Sequence, residues 1–252
     1  MSQHNERTQL AESLQAQDLT QDKVSQQGTG KEATLYTERF SSEQDQMRNE
    51  TWQVLCKSFF QKFINPNSTV VDVGAGDGLF IKHINATRKI AIDLSSHVNA
   101  LSSLGIETIQ APATELSSKI TTPVDVIFMS NFLEHLPNKA LVLKVFEECA
   151  KILKPSGQLL VLQPNIRYVK AMYWDYIDHH IALTEHSLTE ALKISGFDIS
   201  LCYPRFLPYT AKSKLGHIAQ IVGAKRLTYL YLKTPLMWKL CGGQTFVLAK
   251  KR

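Results

Sequence analysis

A loop of alternating glycines carries the clearest chemical signal in the chain. Gly74, Gly76 and Gly78 follow a run of valines that also contains Asp72. Because glycine has no Cβ, such a loop turns sharply and lets a ligand lie against its backbone. A carboxylate at Asp72 repels an anionic pyrophosphate and attracts an amine or a cation. The spacing predicts a site for a nucleotide-like cofactor with a positively charged part. The simpler alternative is a tight turn between a strand and a helix.

A second carboxylate follows at the end of the next β-branched segment. Asp93 lies 21 residues after Asp72 and closes the predicted strand Lys89–Asp93. An acid at the carboxyl end of the second strand of an α/β sheet accepts hydrogen bonds from ribose hydroxyls. The alternative is a helix N-cap, because Leu94 and two serines come next. With the glycine loop upstream, we expect Asp93 to bind a ribose.

Two histidine-containing segments supply candidates for acid–base chemistry. Glu134-His135 follows the predicted strand Val124–Ser130, and His179-His180 closes a stretch rich in aromatic and ionisable residues. The charge of imidazole changes near neutral pH, which suits it to proton transfer. We expect His180 to be the general base, with His135 as the second candidate. The alternative is that these residues shape turns and form only local hydrogen bonds.

The stretch between residues 166 and 180 is predicted to line the pocket of the second substrate. Tyr173, Tyr176 and His180 fall on one face if the stretch is helical. A basic side chain at its start is placed to meet an anionic group. The alternative is an aromatic helix that only packs on the sheet. The predicted substrate-binding residues are Arg167, Tyr173, Tyr176 and His179.

Three segments resemble the class I S-adenosylmethionine (SAM) methyltransferases. They are the Asp72-x-Gly-x-Gly-x-Gly loop, the Leu133-Glu134-His135-Leu136 segment, and the Leu153-Lys154-Pro155 turn before the predicted fifth strand. The resemblance implies that SAM is the cofactor and that the glycine loop holds its methionine part. The cofactor-binding residues that it implies are Asp72, Gly74, Ala75, Gly76, Gly78, Asp93, Leu94, Ala111, Pro112, Ala113 and Asn131.

The chain departs from this pattern in two places. Gln110 and Ala111 stand where the family usually has an Asp beside the adenine, so backbone groups would supply that contact. Asn131 stands where ubiquinone-type O-methyltransferases have a Glu with a metal role. No metal site is therefore expected.

The order of predicted elements indicates the fold that positions these residues. Five strand signals alternate with helical patterns, which indicates an α/β doubly wound sheet. Two further strands are predicted at Phe197–Tyr203 and Gln244–Ala249. The resemblance implies a Rossmann-like sheet of seven strands with the last strand antiparallel. Residues 1–33 are polar and are expected to be a disordered tail, and residues 34–252 are expected to form the methyltransferase domain.

Composition narrows the class of protein. Of 252 residues, 44% are hydrophobic and 20% are charged, as in ordinary globular proteins. The four cysteines lie far apart, without zinc-ligand or disulfide-framework spacing, which indicates a reducing cytoplasm. We see neither a signal peptide nor an apolar run of about 18 residues. The predicted localisation is cytoplasmic, with peripheral contact at the inner face of the membrane as a further expectation.

The charge is concentrated at the end of the chain. Residues 201–252 contain ten Lys and Arg and no Asp or Glu, although the whole chain carries only +5. A basic aromatic insertion is predicted at 205–240. This block suits an anionic membrane, a phosphate-bearing substrate or nucleic acid. Its aromatic residues favour lipid-linked or phosphorylated molecules over RNA. The alternative is a lid with solvated lysines.

The expected function is methyl transfer from SAM to oxygen of a small-molecule, glycan or lipid-linked acceptor. The segments Pro164-Asn165-Ile166-Arg167-Tyr168 and Phe206-Leu207-Pro208-Tyr209-Thr210 resemble bacterial methyltransferases that are often associated with envelope glycan or lipid assembly, and this resemblance implies such an acceptor. An RNA methyltransferase and a non-catalytic adaptor at a membrane surface remain alternatives. An NAD-dependent oxidoreductase is opposed by Asp72 and by the GxGxG spacing.

Overall fold

The computed structural model describes residues 42–209 and 223–252. The predicted tail at 1–33 lies outside the described residues, as does the segment 210–222 within the predicted insertion. None of the described helices is long and apolar enough to cross a membrane.

One mixed sheet of seven strands forms the centre of the domain. The strands lie in the order β3-β2-β1-β4-β5-β7-β6. β1 to β5 are mutually parallel, and β7 is antiparallel to both of its neighbours. The doubly wound sheet with an antiparallel last strand is therefore confirmed. The strands are β1 Thr69–Val73, β2 Arg88–Asp93, β3 Glu107–Gln110, β4 Val124–Ser130, β5 Leu153–Pro164, β6 Phe197–Tyr203 and β7 Gln244–Lys251.

Helices cover both faces of the sheet, and the described core forms two clusters of buried apolar side chains. One cluster contains Val71 and Val73, and the other contains Val70, because successive side chains of a strand point to opposite faces. The α-helices are α1 Ser42–Ser58, α2 Leu79–His83, α3 Leu116–Lys119, α4 Lys139–Ile152, α5 Ile166–Val169, α6 Glu185–Ile194, α7 Ala224–Lys233 and α8 Pro235–Cys241.

The strand order creates a crevice at β1. β1 pairs with β2 on one side and with β4 on the other, so the connections leave in opposite directions at this point. In open α/β sheets, ligands bind outside the carboxyl ends of the strands at such a switch. The fold therefore brings the glycine loop, Asp93 and the end of β4 to one edge of the sheet.

Two local predictions differ from the observed elements. The apolar spacing predicts one helix over residues 43–64, but α1 ends at Ser58 and is followed by a 3-10 turn at Phe60–Phe63. The predicted turn at 154–158 belongs to β5, where a register shift against β4 accommodates the extra residues. The mixed apolar and basic stretch at 227–240 folds as α7 and α8, separated by Thr234-Pro235. A proline removes a backbone donor, so it ends one helix and begins the next.

Candidate functional site

The three glycines of the loop have backbone conformations that other residue types adopt only at an energetic cost. Gly74, Gly76 and Gly78 all have positive φ, at 67°, 49° and 69°. A Cβ at Gly74 would lie 2.5 Å from the Phe132 ring, and one at Gly78 would lie 2.6 Å from Leu101. A Cβ at Gly76 would meet no atom within 4 Å. Neighbouring side chains thus close two of the positions, while open space remains above Gly76, as a ligand lying on the backbone requires.

Asp93 ties the glycine loop to the end of β2. One carboxylate oxygen accepts a hydrogen bond from the Gly76 N–H at 2.9 Å, and the other accepts one from the Ser95 N–H at 2.8 Å. Next to it, Leu94 is 48% exposed. A carboxylate and an exposed apolar side chain at this edge fit the ribose and the adenine of an adenosyl group.

Asp72 lies beneath the loop, and its side chain is almost fully buried. Burial raises the pKa of this carboxyl well above its usual range, and the negative charge of Asp93 raises it further. A hydrogen bond with the backbone of Ile81 opposes these effects. The position is consistent with support for the loop and with the expected contact to the amino end of SAM, which stays a prediction.

The third strand supplies the remaining wall of the expected adenine site. Ala111 and Ala113 are buried, and Pro112 is partly exposed between them. The Ala111 N–H donates to the Asp93 carbonyl at 3.0 Å. The Gln110 amide donates to the Leu94 carbonyl at 3.3 Å, so its side chain spans the ends of β2 and β3. Main-chain groups of this turn are therefore held beside Leu94.

A strained turn ends β4. Asn131 has a positive φ of 48°, which is unusual outside glycine. Its N–H donates to the Leu162 carbonyl at 2.9 Å, and this bond fixes the turn against β5. Phe132 then packs where a side chain at Gly74 would clash. The turn thus connects the glycine loop with the Glu134-His135 segment that follows.

Glu134 is a buried carboxylate at the carboxyl ends of β4 and β5. Its side chain accepts a hydrogen bond from the Gln163 amide at 2.9 Å. Burial raises the pKa of Glu134, while the neighbouring His135 and the Gln163 hydrogen bond lower it. A carboxyl in such surroundings is a candidate for a functional role.

Two imidazole rings complete this cluster. The Nδ1 atom of His135 lies 3.0 Å from the Asp178 carbonyl oxygen and 3.4 Å from the Asp178 carboxylate. The Nδ1 atom of His179 lies 2.8 Å from the Tyr173 carbonyl oxygen. A carbonyl only accepts, so each Nδ1 carries the proton and each Nε2 carries the lone pair. The ring centres of the two histidines are 5.1 Å apart.

Among the described residues, one group of side chains has the composition and spacing to hold a metal ion. Potential ligand atoms of Glu134, His135 and His179 all lie within 4.8 Å of one another. We call these three residues the EHH cluster. Hydrogen bonds from each Nδ1 to a carbonyl also occur around metal-bound histidines, where they fix the tautomer. The sequence predicted no metal site because Asn131 stands in place of a Glu. That prediction did not take His179 into account, which joins this cluster from a distant part of the chain.

The segment from 166 to 180 is not one continuous helix. α5 ends at Val169, Lys170 has a positive φ of 56°, and a 3-10 helix follows at Lys170–Asp175. Tyr173 is fully buried, and its hydroxyl donates to the Ile181 carbonyl. His180 is exposed, and its N–H donates to the Glu134 carbonyl at 2.8 Å. The expectation of a shared helical face is therefore wrong, and His179 rather than His180 lies beside His135.

The other predicted acceptor residues lie around this cluster or close to it. Tyr176 is partly exposed, with its ring 5.2 Å from His179 and 6.3 Å from Tyr209. The half-exposed Arg167 is paired with the buried Glu185 at 3.2 Å. Its guanidinium is therefore already partly neutralised within the fold.

Three residues that contact predicted site residues or the glycine loop were not among the predicted site residues. Asp178 orients His135, Gln163 orients Glu134, and Arg48 reaches from α1 to Asp77 of the glycine loop at 3.5 Å. Gln163 directly precedes Pro164 at the end of β5, where polar residues face the ligand edge, so its position was a usable signal. The contacts from Arg48 to Asp77 and from Asp178 to His135 had no local signal because they join residues that are distant in sequence.

Comparison with known proteins identifies the family. The family model of a methyltransferase domain matches residues 44–200, which is more than half of the chain. No curated protein matches the chain.

Solved structures show the same fold at low identity. A SAM-dependent methyltransferase from Archaeoglobus fulgidus is 17% identical, with 81% of this chain and 94% of that one covered and a TM-score of 0.59. A SAM-dependent methyltransferase from Clostridium acetobutylicum is 13% identical, with 80% and 91% covered and a TM-score of 0.55. The cyclase SpnF is 20% identical, with 84% and 83% covered and a TM-score of 0.53.

A cyclase among these structures shows that the fold alone does not define the reaction. The family match and the cofactor cradle together are more specific, because the glycine loop, Asp93 and the turn after β4 meet at one edge. On this basis, the chain belongs to the class I SAM-dependent methyltransferases.

Proposed function

We propose that the chain transfers a methyl group from SAM to an oxygen atom of a small-molecule, glycan or lipid-linked acceptor. The observation that carries the proposal is the EHH cluster, which lies at the carboxyl ends of β4 and β5, beside the turn that packs on the glycine loop. Imidazole lone pairs at this edge suit an acceptor that must lose a proton.

The cofactor cradle supplies the first half of the site. Gly76 offers an open backbone surface in the loop that Gly74 and Gly78 shape, and Asp93 offers the carboxylate for a ribose. When bound, SAM supplies a methyl group that is already activated on a sulfonium centre. The protein therefore has to hold the acceptor in line and remove its proton.

The EHH cluster supplies the second half. In our proposal, Nε2 of His135 accepts the proton of the acceptor hydroxyl, and the Asp178 carboxylate stabilises the resulting imidazolium. The His135 side chain is about one-third exposed, so it is accessible from the edge, whereas His179 is buried. His179 and Glu134 then position the hydroxyl.

Aromatic side chains near the cluster support a glycan or lipid-linked acceptor. Trp174 is 55% exposed, and the Tyr176 and Tyr209 rings form an edge-to-face pair. Such rings stack on the apolar faces of sugars and on other ring systems. The identity of the acceptor and the methylated atom are part of the proposal.

A metal-assisted version of this reaction is a second candidate. It is favoured by the spacing of the EHH cluster and by the two Nδ1–carbonyl hydrogen bonds. Two imidazoles and a carboxylate form a ligand set for Zn²⁺ and related divalent ions. A metal there would lower the pKa of a bound hydroxyl, and no imidazole base would be needed.

The test combines calorimetry with methyl transfer from radiolabelled SAM to free sugars, lipid-linked glycans, phenols and RNA. We expect His135→Ala to lower kcat by about 10²–10⁴-fold and to change SAM affinity less than twofold. His186→Ala is the matched control, because this histidine is 77% exposed. A larger decrease in kcat for His180→Ala than for His135→Ala would indicate that His180 is the general base.

Three results would contradict the proposal. Absence of SAM binding would remove the enzyme assignment, and SAM binding without turnover on any acceptor would favour the adaptor alternative. Turnover on RNA alone would make the chain an RNA methyltransferase. Loss of activity in a chelator, restored by a divalent ion, would select the metal-assisted version over the His135 base.

A further inference from the structure

The helical pair α7–α8 presents an outward face that folding alone does not explain. Leu236 and Leu240 are each 64% exposed, and Tyr229 and Leu230 are about half exposed. Single exposed apolar residues are ordinary, but a contiguous patch marks an interaction surface. The exposed apolar and basic side chains of the pair, which we call the basic–apolar face, are Lys225, Arg226, Tyr229, Leu230, Lys233, Leu236, Lys239 and Leu240.

The opposite side of the pair already anchors it to the domain. Tyr231 is buried, and its hydroxyl donates to the Phe206 carbonyl at 2.5 Å. The Trp238 indole donates to the Tyr231 carbonyl at 2.9 Å and packs edge-to-face on Phe206 at 5.0 Å. Arg205 binds the carbonyls of Leu240 and Gly242 at the end of α8. The helices are thus held by their inner side, while Leu236 and Leu240 remain mostly exposed.

The charged side chains of the helical pair have a single sign. Neither α7 nor α8 contains Asp or Glu, and together they carry four Lys and Arg side chains. The Lys233 ammonium lies 5.6 Å from the centre of the Tyr229 ring, so cation and aromatic share one surface. Apolar side chains flanked by lysines are typical of helices that lie in the interface of an anionic bilayer.

From this combination we infer that the basic–apolar face docks the protein on the surface of a membrane that contains anionic phospholipid. The leucines and Tyr229 enter the boundary between head groups and acyl chains, and the cationic side chains contact lipid phosphates. Because no described helix spans a bilayer, the contact is peripheral. The inference is independent of the proposed acceptor.

Two other occupants fit the face less well. A second copy in a two-fold interface would place the same basic patch against itself, which like-charge repulsion opposes. Nucleic acid would match the cations, but Leu236 and Leu240 offer neither hydrogen bonds nor flat rings to it.

A neighbouring cavity provides a second observation. It has a volume of about 300 Å³ and lies between the turn that follows α1, strand β6 and the α7–α8 pair. Phe59, Tyr203 and Trp238 form aromatic walls, and the Lys62 and Lys233 side chains also line it. Aromatic walls with two cations suit the junction between a lipid phosphate and its acyl chain.

The experiment is co-sedimentation of the full chain with vesicles. One set contains phosphatidylcholine and phosphatidylglycerol, and the other contains phosphatidylcholine alone. We expect binding only to the anionic set, falling as salt is raised. Leu236→Ser/Leu240→Ser should lower binding about tenfold, because apolar area is no longer buried. Lys233→Glu/Lys239→Glu should abolish the preference for anionic lipid.

The matched control is Leu104→Ser/Ile194→Ser, which changes two apolar side chains that are 59% and 69% exposed elsewhere. Thermal denaturation first confirms that each variant is folded. The inference would be overturned if the wild-type protein bound both vesicle sets equally. It would also be overturned if Leu104→Ser/Ile194→Ser lost as much binding as Leu236→Ser/Leu240→Ser. A wild-type dimer that Leu236→Ser/Leu240→Ser dissociates, or binding to RNA in place of vesicles, would overturn it as well.

Discussion

At the scale of single residues, the buried carboxyls of Asp72 and Glu134 have separate surroundings and separate consequences. Asp72 lies under the glycine loop, and Glu134 lies at the ends of β4 and β5. Burial raises the pKa of both side chains. Of the two, only Glu134 is grouped with histidines, so our proposal places proton transfer in its cluster and not at Asp72.

The raised pKa of Asp72 predicts a pH-dependent stability. The folded state binds this proton more tightly than the unfolded state, so ionisation costs stability as pH rises above about 4. Asp72→Asn removes that cost and keeps an oxygen for the Ile81 hydrogen bond. We expect the free energy of unfolding of Asp72→Asn, relative to wild type, to increase from pH 4 upward in urea titrations.

Asp125→Asn is a control for which we expect the opposite dependence of stability on pH. Hydrogen bonds with Lys154 and with the Thr69 N–H lower the pKa of Asp125. Its contribution to stability is present above about pH 4 and is lost as pH falls. A flat difference between Asp72→Asn and wild type across this range would contradict the assignment.

At the scale of elements, one carboxylate joins two helices below the expected adenine site. Glu148 of α4 accepts hydrogen bonds from the N–H and hydroxyl of Ser117 in α3, at 2.8 and 2.6 Å. Lys151 donates to the same carboxylate at 2.7 Å. α3 has only four residues, so contacts to α4 rather than helix propensity keep it in place.

Replacing Glu148 should therefore weaken this junction. We expect Glu148→Gln to lower the free energy of unfolding by about 2 kcal/mol at pH 7. The hydrogen bonds from Lys151 and Ser117 lower the pKa of Glu148 to about 2. The loss of stability caused by Glu148→Gln should therefore shrink as pH falls from about 4.5 towards 2, because wild-type Glu148 becomes protonated and neutral, like Gln, over this range.

Denaturant titrations at pH 7 and at pH 3.5 measure both effects. Glu147→Gln is the matched control because this neighbouring side chain is exposed, and we expect a change below about 0.5 kcal/mol. An equal loss for Glu148→Gln at the two pH values would show that packing, not charge, accounts for it.

At the scale of the whole molecule, a buried amide connects the last three strands of the sheet with the start of α6. The Asn165 amide donates to Glu185 of α6 at 2.7 Å and to Thr245 of β7 at 2.8 Å. It also lies 3.3 Å from the Pro204 carbonyl, just after β6. One side chain thus fixes the ends of β5, β6 and β7 and the start of α6, behind the proposed acceptor site.

Asn165→Ala should destabilise the entire domain. We expect a loss of about 3 kcal/mol in the free energy of unfolding, because buried acceptors are left without donors. The transition should remain a single cooperative step that is shifted to lower temperature. Scanning calorimetry measures the shift, and exposed Asn67→Ala is the control. A change below about 1 kcal/mol would contradict this role.

The amino-acid sequence by itself determined the features that depend on neighbours in the chain. Valine runs, alternating glycines and helical apolar patterns specify β1, the cofactor loop and the helices α1, α4 and α6, because backbone preferences and periodicity are local. The strand sequence also placed Asp93 and Glu134 at carboxyl ends, where a doubly wound sheet gathers its ligands.

Tertiary structure decided which side chains meet. A helical extrapolation assigned His180 the inward position, but the positive φ of Lys170 and the 3-10 turn break that periodicity. His179 therefore points towards His135, and Glu134 meets Gln163, across separations of 44 and 29 residues. The direction of a side chain follows from periodicity only while the backbone is regular, and distant pairs form only when the sheet is assembled.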